Sequence, residues 1–174
     1  MGAVDPWILR WLGKEVADTL VATVREMPSI PVPPAALEAG RNQYSSTKIL
    51  KELLRDVPGD ALKLLGITGT DLCIPILTYV FGEAQLGGTA AVVSLARLRQ
   101  EYYGGTPDRQ LFLERARKET LHELGHTFGL IHCRSGDCVM RLSNTVVDVD
   151  AKGRNFCTYC RAVAASNAGA GRVR

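Results

Sequence analysis

The sequence predicts an α/β (α+β) fold organised as one domain over residues 1–174, and three observations carry this. Strand-like apolar runs alternate with stretches of helical periodicity, which argues for helices layered on sheet. A length of 174 residues suits one domain. Apolar types at 46% and charged types at 22% are ordinary for a globular chain, and exclude a disordered, collagen-like or coiled-coil protein.

Trp7-Ile8-Leu9-Arg10-Trp11-Leu12, bounded by Pro6 and Gly13, reads as a short buried strand. From Lys14 to Met27, Val16, Ala17, Leu20, Val21 and Val24 form the stripe of an amphipathic helix. Pro28, Pro31, Pro33 and Pro34 then favour an extended segment, readable as an edge strand. Ser45 or Ser46 caps a second helix whose buried face is Ile49, Leu50, Leu53 and Leu54, with Pro58-Gly59 as its stop. Residues 61–67, 72–81 and, after the glycine-rich stretch Gly82 to Gly88, residues 89–98 read as strands. The alanines of the last would also suit a helix. Residues 1–121 are thus mainly scaffold, residues 122–160 hold the unusual chemistry described next, and residues 161–174 form a C-terminal tail that is small and polar over Ser166–Gly171.

All three histidines, His122, His126 and His132, lie within eleven residues, and four of the five cysteines lie within the following twenty-eight. Residues 1–121 contain no histidine and only Cys73, which reads as a small buried apolar residue. Thr106-Pro107-Asp108 starts a helix with a capping hydroxyl, a first-turn proline and an acid at the positive dipole end. That helix runs to Phe128, with Leu113, Ala116, Leu121, Leu124 and Phe128 on its apolar side. His122 and His126, four apart, project from one face and suit a shared divalent metal. Glu123 points about 100° round the helix, too far to ligate comfortably but placed to act as general base on a water at the metal. Gly129 lets the helix end in a left-handed residue, so that His132 returns as third ligand and leaves the fourth position open, as in catalytic zinc sites.

Residues 122–132 thus match H-E-x-x-H-x-x-G-x-x-H, the metzincin signature. Cys133-x4-Cys138 and Cys157-x2-Cys160 have the spacing of a closed four-thiolate zinc site, structural rather than catalytic. Two disulfides or unpaired buried thiols are the alternatives. Together with Met140, these residues resemble the archaemetzincin family of zinc metallopeptidases, and Arg41–Tyr44, Leu65–Thr68 and Phe81–Leu98 are also similar to it.

The resemblance implies a compact metzincin-like zincin: a twisted mixed sheet of about four or five strands, backing helices and a long active-site helix. It implies two zincs per chain, one catalytic on His122, His126 and His132 with Glu123 as base, and one structural on Cys133, Cys138, Cys157 and Cys160. It also implies that Met140 supports the histidines from beneath, and that the strand at 89–98 forms the cleft edge, taking an extended peptide by strand addition. Unlike some metzincins, the chain has no Tyr shortly after the methionine; the next is Tyr159. Glu83 and Glu119 are the candidates for holding a substrate ammonium, as an aminopeptidase requires, and the specificity pocket falls near residues 143–149.

The expected partner is a peptide or protein substrate. The net charge, 21 − 18 = +3, shows no block of five like charges, which argues against nucleic acid. No run approaches the ~18 apolar residues of a membrane span. The start of the chain lacks the basic and apolar regions of a signal peptide, so a cytoplasmic location is expected; a monomer is the expected state. The alternative function is a zinc-stabilised peptide-binding module with little or no turnover.

Overall fold

The structure, a computed structural model, describes residues 4–170 and the side chains of residues 4–168. The expectations for residues 1–3 and for residues 171–174 lie outside the described residues. The fold is mixed α/β, as expected, but its strands are divided between two mixed sheets rather than forming one.

The first element is a helix, α1 (Pro6–Leu20), where the sequence suggested a strand followed by a helix. Pro6 occupies the first turn, where a missing N–H costs nothing. Ile8 and Leu12, four apart, are its buried residues. A short apolar run between Pro and Gly carries no period of its own, and the helical stripe that follows extends back through it. The helix also stops before Met27: Val21 takes a left-handed conformation at φ 52°. The proline-rich segment to Pro33 joins no sheet.

β1 (Leu37–Glu38) and β2 (Gln43–Ser45) pair antiparallel. α2 (Ser46–Leu53) begins where the sequence placed it, with the Ser45 hydroxyl accepting from the Lys48 N–H. β3 (Leu64–Thr68) follows. The single strand expected over 72–81 is a hairpin, β4 (Leu72–Ile74) and β5 (Leu77–Val80), because Pro75 and Ile76 make a tight turn. The glycine-rich stretch holds a further strand, β6 (Gly82–Ala84), and β7 (Ala90–Ser94) completes the set.

The sheets run β1-β2-β4-β5 and β3-β7-β6. β7 is therefore central, parallel to β3 and antiparallel to β6. This corrects the expectation that the strand at 89–98 is the edge: β6 is. Every residue of β7 is buried, which is the pattern of a strand covered on both faces. Ala90 and Val92 join the core with α2 residues Ile49, Leu50 and Leu53, while Val93 faces α1 and the long helix α3 (Arg109–Thr127).

Asp108, rather than Thr106, caps α3, its carboxylate accepting from the Leu111 N–H at 2.9 Å. α4 (Val146–Ala151) and α5 (Thr158–Ala170) close the chain. The capping box of Thr145 and Asp148 is the local signal that announces α4. Residues expected to form a polar tail are helical through Ala170.

One polar cluster ties the two sheets together. Asp71 accepts from Arg97 Nε at 2.7 Å and Nη2 at 2.8 Å, and from Gln43 Nε2 at 2.8 Å. The Arg97 guanidinium lies 3.9 Å from the Tyr79 ring centre. Burial alone would raise the Asp71 carboxyl, but the Arg97 and Gln43 hydrogen bonds outweigh it and hold the group below its ordinary range. A depressed folded-state pKa gives stability that is present above the unfolded value and lost as pH falls through the folded one. Asp71→Asn is expected to cost roughly 1–3 kcal/mol near neutrality. Urea unfolding checks this: the two proteins should converge in stability as pH falls through the depressed range of the folded-state Asp71 carboxyl, and a pH-independent gap would contradict the pairing.

Candidate metal centre

α3 has no solvent face over its last three turns. Arg115 is paired bidentately with Asp150, Arg117 donates to Glu15, Thr19, Asn155 and the Arg154 carbonyl, and Lys118 donates to the Val149 and Asp150 carbonyls. These bonds hold α3 rigidly against α1 and the segment after α4. His122, Glu123 and His126 project from a fixed rod.

Past Thr127 the chain reverses through Gly129, whose φ of +82° favours a residue without Cβ. The returning segment supplies two carbonyls that orient the helix histidines. His122 Nδ1 meets the Val139 carbonyl at 2.9 Å, and His126 Nδ1 meets the Leu130 carbonyl at 2.7 Å. A carbonyl only accepts, so each ring carries its proton on Nδ1 and turns an Nε2 lone pair inward. The two Nε2 atoms stand 3.1 Å apart. Two lone pairs facing each other repel unless a cation lies between them, and tetrahedral zinc with ~2.05 Å bonds sets its ligand nitrogens about 3.3 Å apart. His132 joins them, with ring centres 5.3 Å from His122 and 5.0 Å from His126. The ligand nitrogens of all three lie within 4.8 Å of one another. Burial pushes the His122 imidazole well below its usual range and, less strongly, lowers His126 and His132, so all three favour the neutral, ligating form. The donor set fits a zinc ion.

Glu123 is buried and accepts no hydrogen bond from the described residues. Its carboxylate packs across Gly82 of the edge strand β6: a Cβ at Gly82 would stand 2.5 Å from Glu123 Cγ and 2.7 Å from Oε1. Burial first, and then the nearby Glu119 carboxylate, pushes the Glu123 carboxyl well above the usual range.

The four cysteines also converge, their sulfurs within 4.8 Å of one another and none in a disulfide. Cys133 Sγ and Cys157 Sγ are 4.0 Å apart, against about 3.8 Å for two thiolates on tetrahedral zinc with ~2.3 Å bonds. The Cys157 N–H donates to Cys138 Sγ at 3.4 Å, a bond suited to a thiolate. Hydrogen bonds, led by that from the Cys160 N–H, hold the Cys157 thiol down at about 7, so it ionises readily. Met140 is fully buried between the two clusters. The Cys133 N–H donates to the Met140 carbonyl at 2.9 Å, and the Met140 side chain fills the space left by the missing side chain of Gly125 on α3.

The chain matches the model of "Peptidase family M54" over residues 32–164. It belongs to that family, the archaemetzincins. An archaemetzincin of Methanocaldococcus jannaschii is 41% identical over 162 residues, covering 92% of this chain and 87% of that protein. The crystal structure of archaemetzincin from Methanopyrus kandleri superposes with a TM-score of 0.84 at 38% identity, covering 95% of this chain and 89% of that one. A zinc-dependent peptidase from Methanocorpusculum labreanum gives 0.83 at 30% identity, covering 92% and 95%. The M54 chain described here is thus a metallopeptidase by family, with two groups of side chains suited to metal. No helix among its described residues is long and apolar enough to cross a membrane.

The structure brings His122, His126 and His132 together in one group and Cys133, Cys138, Cys157 and Cys160 in another, with Met140 buried against Gly125 and Glu123 against Gly82. It also shows what the sequence left out. Neither Glu83 nor Glu119 is free to hold a substrate ammonium. Glu83 accepts from Ser46 Oγ at 2.5 Å and from Thr47 Oγ1 at 3.0 Å, and Glu119 pairs with Lys152. Gly82 and Gly125 matter because side chains elsewhere occupy their missing Cβ positions, which no local pattern reveals. Gly125→Ala would overlap the Met140 sulfur and crowd Phe156. Despite the better helix propensity of Ala, it is expected to cost about 1–3 kcal/mol through overpacking, read as a fall in melting temperature; an unchanged or raised value would contradict the packing.

Proposed function

We propose that this chain acts as a single catalytic domain hydrolysing peptide bonds with zinc held by His122, His126 and His132, and that a second, structural zinc is held by Cys133, Cys138, Cys157 and Cys160. One observation carries the reading: the unbonded Glu123 carboxylate lies on the same helical turn as the histidines and against the edge strand. A structural metal site has no use there for an acid that no side chain or backbone N–H of the described residues engages.

When bound, zinc lowers the pKa of water to near 7 and polarises the scissile carbonyl. Glu123 takes a proton from the attacking water on a carboxylate oxygen and delivers it to the leaving nitrogen. Its raised pKa suits both steps, because a more basic carboxylate takes up the proton more readily. The Val139 and Leu130 carbonyls keep His122 and His126 in the ligating tautomer throughout. Among the described residues no strand pairs with the outer side of β6, so its backbone is open to an extended peptide. With Glu83 and Glu119 engaged elsewhere, the reading favours cleavage within a peptide over removal of its first residue.

Glu123→Ala is expected to fold, keep its zinc and lose hydrolysis of a mixed peptide library by roughly 10²-fold or more. Elemental analysis alongside the peptide assay decides it, and unchanged turnover would remove Glu123 from the mechanism. Cys157→Ser should lower both the melting temperature and the zinc content of the histidine site, because Cys133 directly follows His132. A variant retaining full histidine-site zinc and wild-type stability would refute the structural role of the cysteines.

A further inference from the structure

Glu119 and Lys152 form a closed ion pair one helical turn from the histidines. Lys152 Nζ lies 2.6 Å from Glu119 Oε1, and the two side chains are 0% and 3% exposed. Neither atom has a hydrogen bond of good geometry to any other group. The other buried cations of α3 are different: Arg115, Arg117 and Lys118 each share two or more hydrogen bonds of good geometry with their partners. A fully desolvated pair without such supporting bonds contributes little net stability, and a well-packed apolar pair of similar size would commonly do as well. Stability alone is therefore a poor account of it.

Its position supplies another. Glu119 precedes His122 by three residues and Glu123 by four, so all three side chains leave α3 on neighbouring rows. Lys152 arrives from the end of α4, its N–H bonded to the Asp148 carbonyl. The ammonium charge bears on all three imidazoles and on Glu123, and the Glu119 carboxylate bears on His132 and Glu123. Both charged side chains are almost wholly removed from solvent.

We propose that Glu119 and Lys152 are positioning residues that set the metal affinity of the histidine site by opposed charges, Glu119 favouring the cation and Lys152 moderating it. This rests on the reading that the three histidines hold the metal. The sign of each contribution follows from Coulomb's law: a buried carboxylate attracts a dication and a buried ammonium repels it. Removing either partner leaves the other charge uncompensated. Both single substitutions therefore destabilise the fold, but they move metal affinity in opposite directions. A purely structural pair would instead lower metal affinity whichever partner is lost.

Zinc affinity of the full chain, measured by competition with a chromophoric chelator, tests this, with His126→Ala as the blank that assigns the signal to the histidine site. Glu119→Gln should bind zinc there roughly tenfold more weakly, and Lys152→Met should bind it more tightly. The visible spectrum of the cobalt-substituted protein gives a second reading of the same site. Should the single variants fail to fold, the double variant Glu119→Gln/Lys152→Met decides: opposed charges predict an affinity within a few-fold of wild type, whereas a structural pair predicts a combined loss. Weaker binding in both singles, a combined loss in the double variant, or no change in any of them overturns the proposal. A wild-type protein with no zinc signal removed by His126→Ala would instead defeat the assignment of the histidine site, and this inference with it.

Discussion

The candidate centre depends on how closely the returning segment after Gly129 approaches α3. The helix sets His122 and His126 one turn apart, but it does not fix which ring nitrogen faces inward. The Leu130 and Val139 carbonyls do that, and they reach the rings because the chain reverses at Gly129 and packs Met140 into the notch at Gly125. A side chain at Gly125 would push this segment outward, and both Nδ1 hydrogen bonds would lengthen together. Close packing here is a condition of the chemistry, since a metal site is only as well ordered as the groups orienting its ligands.

The same segment links the two clusters. His132 and Cys133 are consecutive, and the Cys133 N–H is bonded to Met140. Four cysteines drawn to one point fix the ends of the loop that carries His132, whose own helix support has ended several residues earlier. Residues 133–160 contain one short helix and the start of α5 but no sheet, so there is little regular hydrogen bonding to hold them. A four-thiolate zinc site suits that deficit, because metal binding contributes directly to folding where the apolar core is small.

Charge is handled in two ways along α3. On the flanks, buried arginines and Lys118 spread their hydrogen bonds over several acceptors and lock the helix to its neighbours. Nearest the histidines, the pairing narrows to a single contact between Glu119 and Lys152, and Glu123 is left with none. The gradient runs from groups satisfied for stability to groups held ready for a ligand, as expected where function is placed on a rigid element.

The sequence by itself determined the two groups of candidate metal ligands. Rare residues at fixed spacings, with His122, His126 and His132 around Gly129 and two cysteine pairs beyond, carry their meaning locally, because helix period and left-handed turns are local properties. It also determined α2, the body of α3 and the alternation of layers. Only the tertiary structure decided which strand forms the edge. β7 reads as a strand in isolation, but its burial on both faces follows from α2 on one side and α3 with α1 on the other, and that leaves β6 at the sheet edge beside Glu123. The apolar run at Trp7–Leu12 became helix for the same kind of reason, its period being set by the surface it covers. Gly82, Gly125 and Lys152 carry no signal along the chain, since what each one does is defined by an atom brought to it from a distant part of the fold.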